Sequence, residues 1–201
     1  MTPMTKLLSG SAVLALATLL GCGGGGGGSS TPAPAPPATA TSLAYVDPAS
    51  GTYKLVKNAS SSGSHLVLDL VGPSTGTAMG VSITLSTDAA KATWVDVPAG
   101  GTTAVLMQNG TQFTLGSGTP IQKAKATSGV LQATIAQKDP TAPASLNGPL
   151  LRVALDLKSG LGLAQGTAIT LSADAAKCQV LTDKASNPTA ITVSVGTLTA
   201  Q

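Results

Sequence analysis

Ile-Thr-Leu-Ser-Thr-Asp-Ala-Ala-Lys at residues 83–91 returns as Ile-Thr-Leu-Ser-Ala-Asp-Ala-Ala-Lys at residues 169–177, so eight of the nine positions agree. In both copies apolar residues alternate with Ser and Thr, which is the period of a β-strand with one buried face. Asp-Ala-Ala then marks a turn before a further strand. The nonapeptide therefore predicts the same strand–turn–strand unit twice in one domain.

The duplication extends to both sides of the nonapeptide. Upstream, Leu-Asp-Leu at 68–70 corresponds to Leu-Asp-Leu at 155–157 with a one-residue gap. Downstream, the alignment sets Trp94 against Val180. We therefore expect Trp94 to face the core.

Strand patterns occupy most of the chain after residue 41. Besides the repeats, we predict strands over residues 43–46, 53–57, 65–71, 103–107, 112–115, 121–125, 130–137, 150–157 and 190–198. Turn signals separate them at 47–51, 109–110 and 147–149. No segment has a convincing helical period, and many short strands at this spacing indicate an all-β sandwich or barrel.

The C-terminal half carries a more specific pattern. Its segments are Gly-Val-Leu-Gln-Ala-Thr-Ile (129–135), Gly-Pro-Leu-Leu-Arg-Val-Ala-Leu-Asp-Leu (148–157), Gly-Thr-Ala-Ile-Thr-Leu (166–171) and Ala-Ile-Thr-Val-Ser-Val-Gly (190–196). This order resembles the second half of a cohesin-type domain. Over residues 42–198 the resemblance implies a single jelly-roll β-sandwich of about nine strands, related in fold to carbohydrate-binding modules. Cohesins bind dockerin modules, but no dockerin-contact residue can be carried over.

The N-terminus has the features of a secretion signal. An apolar run over residues 7–20 follows Lys6. Its 14 residues are fewer than the roughly 20 of a membrane-spanning helix, so a signal peptide fits better. Either Met1 or Met4 can be the start.

The run ends in Leu-Leu-Gly-Cys at 19–22, which resembles a bacterial lipobox. The resemblance implies cleavage between Gly21 and Cys22 and acylation of Cys22 by two or three chains, palmitate-type anchors that hold the protein on a membrane. Gly23 follows where Asp would resemble an inner-membrane retention signal, so we expect an outer-membrane lipoprotein. An ordinary secretory signal with a chance cysteine is the alternative.

Three regions follow from these patterns. Residues 1–21 are the predicted signal peptide and residues 42–201 the cohesin-like domain. Between them, residues 22–41 are the predicted lipidated cysteine and a disordered linker, since a Gly run behaves as flexible coil and the Pro-Ala part as extended polyproline II.

Composition excludes several functions. Charged residues are 9% of the chain, against about 25% in soluble domains. The net charge of +3 is too small and scattered to predict nucleic-acid binding. One histidine and two cysteines predict no metal site and no cofactor, although a calcium site in a loop stays open. If Cys22 is acylated, Cys178 has no disulfide partner, and we expect it to be a buried thiol.

Catalytic motifs are weak. Gly-Pro-Ser-Thr-Gly at 72–76 matches the nucleophile elbow of hydrolases around Ser74. That motif needs a helix after it and a histidine later in the chain, whereas His65 precedes Ser74. We therefore expect a turn at 72–76 and a solvent-facing His65.

Four aspartates belong to the repeats, and we expect strand-end or turn roles for them: Asp69, Asp88, Asp156 and Asp174.

These observations predict a non-catalytic outer-membrane lipoprotein that displays a β-sandwich for protein–protein interaction or envelope assembly. Polysaccharide binding is the first alternative. Tyr45 and Tyr53 could then face each other across a hairpin as a small platform for sugar rings. A structural lipoprotein without a ligand is the second alternative.

Overall fold

The computed structural model describes residues 35–100, 105–110, 113, 121–137, 142–183 and 187–201. Pro36–Gln201 form one compact unit. The described residues contain seventeen strands and no helix, which confirms the all-β prediction. None of them belongs to a helix that is long and apolar enough to cross a membrane.

The strands differ in length from two to nine residues. In chain order they are β1 Leu43–Val46, β2 Tyr53–Lys57, β3 His65–Val71, β4 Thr77–Ala78, β5 Gly80–Thr87, β6 Ala92–Val95, β7 Gln108–Asn109, β8 Ile121–Thr127, β9 Val130–Ala136, β10 Ala144–Ser145, β11 Pro149–Leu157, β12 Ala168–Ile169, β13 Leu171–Ala173, β14 Gln179–Leu181, β15 Thr189–Ala190, β16 Val193–Ser194 and β17 Thr197–Ala200.

Two six-stranded sheets make up most of the domain. The β3 sheet has the order β16-β2-β3-β11-β6, with β7 also on β11. The β5 sheet has the order β15-β14-β5-β9-β8, with β13 also on β5. Strands β1, β17 and β12 form a third sheet, and β10 pairs with β4.

The two large sheets share one apolar core. On β3, Leu66, Leu68 and Leu70 are at most 1% exposed, and on β5 Ile83 and Leu85 are fully buried in the same cluster. Alternate residues of both strands thus point inward, as the period of two predicts. Each buried leucine or isoleucine contributes about 1.5–3 kcal/mol. The architecture is a β-sandwich.

Three strand predictions are corrected. The repeated strand of the second copy is divided at Thr170, because β12 pairs with β17 and β13 with β5. Residues 190–198 form three short strands instead of one, because β15 pairs with β14, β16 with β2, and β17 with β1 and β12. Residues 105–107 carry no strand, and the pairing begins at Gln108 instead. In the predicted strand over 112–115, only Phe113 lies within the described residues.

The two copies of the duplicated unit pair with each other. On β3 and β11, Val67 lies opposite Ala154 in antiparallel register. These are equivalent positions of the duplication, because residues 68–70 align with 155–157. An internal pseudo-two-fold axis therefore passes between Val67 and Ala154.

The same symmetry produces two reciprocal polar pairs. Arg152 donates from Nε to Asp69 at 2.7 Å and from Nη2 at 3.2 Å. At the equivalent positions, His65 Nδ1 lies 2.7 Å from Asp156 Oδ1. His65 Nε2 also lies 3.0 Å from the Val97 carbonyl oxygen. The predicted solvent-facing His65 is wrong: it is 9% exposed because both ring nitrogens are engaged.

The nonapeptides pair in the same way. Ser86 of β5 lies opposite Ser172 of β13, again at equivalent positions. The Asp88 backbone N–H donates to the Thr170 carbonyl at 3.1 Å, and the Asp174 N–H donates to the Thr84 carbonyl at 2.9 Å. The aspartate that begins the turn of each copy is thus hydrogen-bonded to the strand of the other copy.

Both aspartate turns are built alike, as predicted. Asp88 Oδ1 accepts the Ala90 N–H at 3.0 Å, and its Oδ2 lies 3.1 Å from Lys91 Nζ. Asp174 has the same two contacts, with the residues two and three positions later. The lysine holds the pKa of each carboxyl below its usual value. The four aspartates of the duplication thus stabilise turns or strand pairs.

The copies diverge after their turns. β6 crosses to the β3 sheet, where Trp94 lies opposite Leu155, whereas β14 stays in the β5 sheet, where Val180 lies opposite Val81. Trp94 and Val180 are 6% and 4% exposed, which confirms that Trp94 faces the core. One repeated motif therefore contributes a strand to each sheet.

The two reciprocal polar pairs differ in burial, and we expect them to differ in energy. The Asp69 side chain is 7% exposed and that of Asp156 is 37% exposed. Arg152→Met leaves the buried Asp69 carboxylate without its cation, although the Asn58 amide still donates to it, and should cost about 3–5 kcal/mol. His65→Phe leaves a carboxylate that water can reach, and should cost about 1–2 kcal/mol. Urea unfolding measures both, and a larger loss for His65→Phe would contradict this ranking.

Candidate binding face

The outward side of the β5 sheet carries three rows of mainly polar side chains. We call these eleven residues the polar face: Gln179, Ser82, Thr134 and Lys123; Thr84, Gln132 and Lys125; Ser172, Ser86, Val130 and Thr127. They point outward because the alternate residues fill the core. All but Thr84 are partly or fully exposed. A broad side of the sandwich is thus open to solvent.

Hydroxyl groups and two lysines determine the chemistry of the polar face. Ser82 Oγ and Thr134 Oγ1 hydrogen-bond to each other at 2.8 Å. Lys123 and Lys125 are exposed on β8. The acidic side chain that borders the rows, Asp174 beside Thr84, is paired with Lys177 and lies on the other side of β5 and β9. Within the described residues, neither lysine forms a salt bridge. The face therefore offers hydrogen-bonding groups and a positive edge.

A groove extends the polar face along β8. It has a volume of about 750 Å³, and its wall includes residues 105–107 together with Lys123, Lys125, Gln132 and Thr134. Leu106 packs partly buried against the core. The groove therefore sets an apolar wall beside the two lysines.

The aromatic platform is corrected by the structure. Tyr45 and Tyr53 are 7% and 8% exposed. They do not face each other across a hairpin, because β1 pairs with β17 and β2 with β3. The Tyr45 hydroxyl donates to the Leu55 carbonyl at 2.8 Å and accepts the Gly196 N–H at 2.7 Å. Burial raises the pKa of Tyr45 to about 12 and also raises the pKa of Tyr53. Neither ring presents a face on which a sugar could stack.

Ser74 and His65 do not form a catalytic pair. Residues 72–76 form a loop between β3 and β4, so a strand follows Ser74 rather than a helix. The His65 nitrogens contact Asp156 and the Val97 carbonyl. The ring therefore has no free nitrogen to accept a proton from a serine.

The remaining predicted residues lie apart from the polar face or outside the described part. Cys178 is fully buried, its Sγ lies 3.8 Å from the Thr84 carbonyl oxygen, and burial raises the pKa of the thiol. Among the described residues, no three or more His, Cys, Asp or Glu side chains cluster as metal ligands would. Gly21 and Cys22 lie outside the described residues.

Comparison with known proteins gives a fold and no family. No family model and no curated protein matches the sequence. The sixth cohesin of scaffoldin B from Acetivibrio cellulolyticus, solved in complex with a dockerin, matches with a TM-score of 0.50 and 15% identity over 74% of this chain and 97% of that one. The fold is therefore a cohesin-like β-sandwich of the jelly-roll type, which confirms the fold prediction.

Two other cohesins also match. The second type II cohesin of the adaptor scaffoldin ScaA from A. cellulolyticus has a TM-score of 0.48 and 14% identity, over 80% of this chain and 90% of that one. The seventh ScaB type I cohesin from Pseudobacteroides cellulosolvens has a TM-score of 0.45 and 16% identity, over 69% and 84%.

The sequence predicts the strands of the polar face but not the face itself. The signal was present in the alternation of Ser82, Thr84 and Ser86 with apolar residues. Lys123 and Lys125 have the same spacing of two. What the sequence does not show is that β8, β9, β5 and β14 lie side by side, because their order in the sheet differs from their order in the chain.

The burial of Cys178 has a direct chemical consequence. In a Cys22→Ser chain, Cys178 is the only thiol. Because the thiolate is the reactive form, a buried thiol with a raised pKa should react slowly with a disulfide reagent such as DTNB. We expect labelling to begin only as urea unfolds the domain. Rapid labelling of the folded chain would contradict the burial.

Proposed function

We propose that this chain is a non-catalytic binding module whose polar face docks a protein partner. The observation that carries the proposal is a six-stranded sheet with its apolar side in the core and its hydroxyl-rich side open. Serine, threonine and glutamine at intermediate exposure can exchange water for a partner's hydrogen-bonding groups at small desolvation cost. The two lysines add charge at one edge.

The fold comparison supports the same class of function. The A. cellulolyticus cohesin in the comparison was solved with a dockerin bound to it. At 15% identity the match gives this chain a fold and no contact residues. We therefore carry over protein binding as a class of function and leave the identity of the partner open.

We further propose that the module is held on the outer membrane by a lipid at Cys22. The support is the lipobox resemblance of residues 19–22 and the Gly23 that follows it. Residues 1–21 would then be removed, and residues 22–41 would tether the domain. A tether of this composition raises the effective concentration of the module near partners at the same surface.

The lipid anchor makes a mass prediction. The mature protein, purified from membranes of cells that process lipoproteins, should begin at Cys22 and carry the mass of two or three acyl chains. Cys22→Ser should remove that mass and release the chain from the membrane fraction. An unmodified N-terminus at any other residue would contradict the anchor and would leave the binding proposal unaffected.

Photo-cross-linking tests the polar face without knowledge of the partner. A photoreactive amino acid replaces Gln132 on the polar face or, as the control, exposed Lys57 on β2 of the β3 sheet. In the native envelope we expect Gln132 to give one discrete protein adduct that Lys57 does not give. Adducts that are the same from both positions, or absent from both, would favour a structural lipoprotein without a dedicated ligand.

A further inference from the structure

One end of the polar face carries a fourth row of side chains that is apolar. Leu181 of β14 lies opposite Gly80 of β5, Gly80 lies opposite Ala136 of β9, and Ala136 lies opposite Ile121 of β8. Ile121 is 41% exposed. Two large side chains thus stand at the ends of the row, with a glycine and an alanine between them.

The small residues leave a depression in the sheet surface. Its volume is about 180 Å³, and its lining includes Gly80, Ala136, Leu181 and Pro188. A Cβ on Gly80 would lie 2.8 Å from the Ala136 Cβ, so the strands are too close here for any larger residue at position 80. We call this depression the Gly80 notch. Because β5 and β9 lie this close, position 80 has no room for a side chain, and the sheet surface is depressed there.

The size and lining of the Gly80 notch fit one aliphatic side chain. Small-molecule sites have volumes of about 300–1,000 Å³, which is larger than this notch. Interfaces instead place a few apolar anchors in small pockets, with polar groups around them that exclude water. Gln179, Ser82 and Thr134 form such a polar border, since they line the same depression in the adjacent row.

The surrounding charge selects the partner segment. Lys123 lies two residues beyond Ile121 on the same face of β8, a separation of about 7 Å. Lys125 lies two residues further. The two lysines make the β8 side of the notch positive. Asp174, which borders Thr84, lies across β5 and β9 from them and is paired with Lys177. An acidic group next to an apolar anchor would meet complementary charge here.

We propose that the Gly80 notch binds one leucine-, isoleucine- or valine-sized side chain of an acidic segment of the protein partner. This inference rests on the proposed function and specifies its chemistry. The apolar anchor supplies most of the affinity. The lysines mainly raise the association rate. Exposed ion pairs contribute little to affinity, whereas complementary charge speeds the diffusional encounter of the two partners.

A random-peptide display library selected on the intact domain tests the notch. We expect enriched peptides to combine an aliphatic residue with neighbouring Asp or Glu. In ¹H–¹⁵N spectra such a peptide should shift the amide signals of Gly80, Ala136 and Leu181. Filling the notch by Ala136→Leu should weaken binding about tenfold or more, the loss expected when one aliphatic side chain is excluded.

Two further variants separate the anchor from the charge. Ala44→Leu makes the same change at a partly exposed alanine of β1 and should alter affinity less than about twofold. Lys123→Gln should slow association and reduce its salt dependence, with a smaller effect on dissociation. Thermal unfolding of each variant checks that it is folded.

Several outcomes would overturn the inference. They are the absence of any enriched peptide, enrichment without an aliphatic and acidic pattern, and binding by folded Ala136→Leu at unchanged affinity. None of them bears on the photo-cross-link from Gln132. A discrete adduct there would keep protein binding on the polar face while removing the Gly80 notch from it.

Discussion

The pairing of the duplicated unit with its own copy is the constraint on which the sandwich depends. Val67 opposite Ala154 centres the β3 sheet, and Ser86 opposite Ser172 joins the nonapeptides in the β5 sheet. When two like segments pair in antiparallel register, each contact from the first copy to the second is matched by an equivalent contact from the second to the first. The reciprocal hydrogen bonds of the two aspartate turns to Thr84 and Thr170 are the clearest example. The duplication therefore specifies strand register at two places, one in each large sheet.

The difference between the copies produces the candidate site. In the first copy, the strand after the turn is β6, which joins the β3 sheet. There the Trp94 indole nitrogen donates to the Gly129 carbonyl at 2.8 Å. The other copy keeps β14 beside β5. The β5 sheet thus gains β14 on one edge of β5 and β9 on the other, which makes the polar face broad enough for a partner. Because a wide sheet has its apolar side in the core, its outward side can be polar without loss of stability.

Much of the fold could be predicted from the sequence, and the exceptions have physical causes. Strands β1, β2 and β3 have the predicted bounds because each combines alternation with a clear turn signal. The sequence predicts His65 at the surface, since a lone histidine after a Ser-Gly loop has no local reason to be buried. Its burial depends on Asp156, 91 residues later in the chain. The burial of Tyr45 also departs from its prediction, because its hydroxyl contacts Gly196, 151 residues away.

The strand class, the duplicated unit, the buried side of the repeated strands and the residues that resemble a lipid-attachment site can all be predicted from the chain. These follow from local spacing, because side-chain direction in a strand alternates whatever the strand pairs with. Which strands are neighbours is a property of the folded chain. The strand order of the β5 sheet brings Lys123, Thr134, Ser82 and Gln179 into one row and places the Gly80 notch between Leu181 and Ile121. Neighbour order depends on contacts between distant segments, and two nonapeptides that agree at eight of nine positions but have different continuations cannot encode it locally.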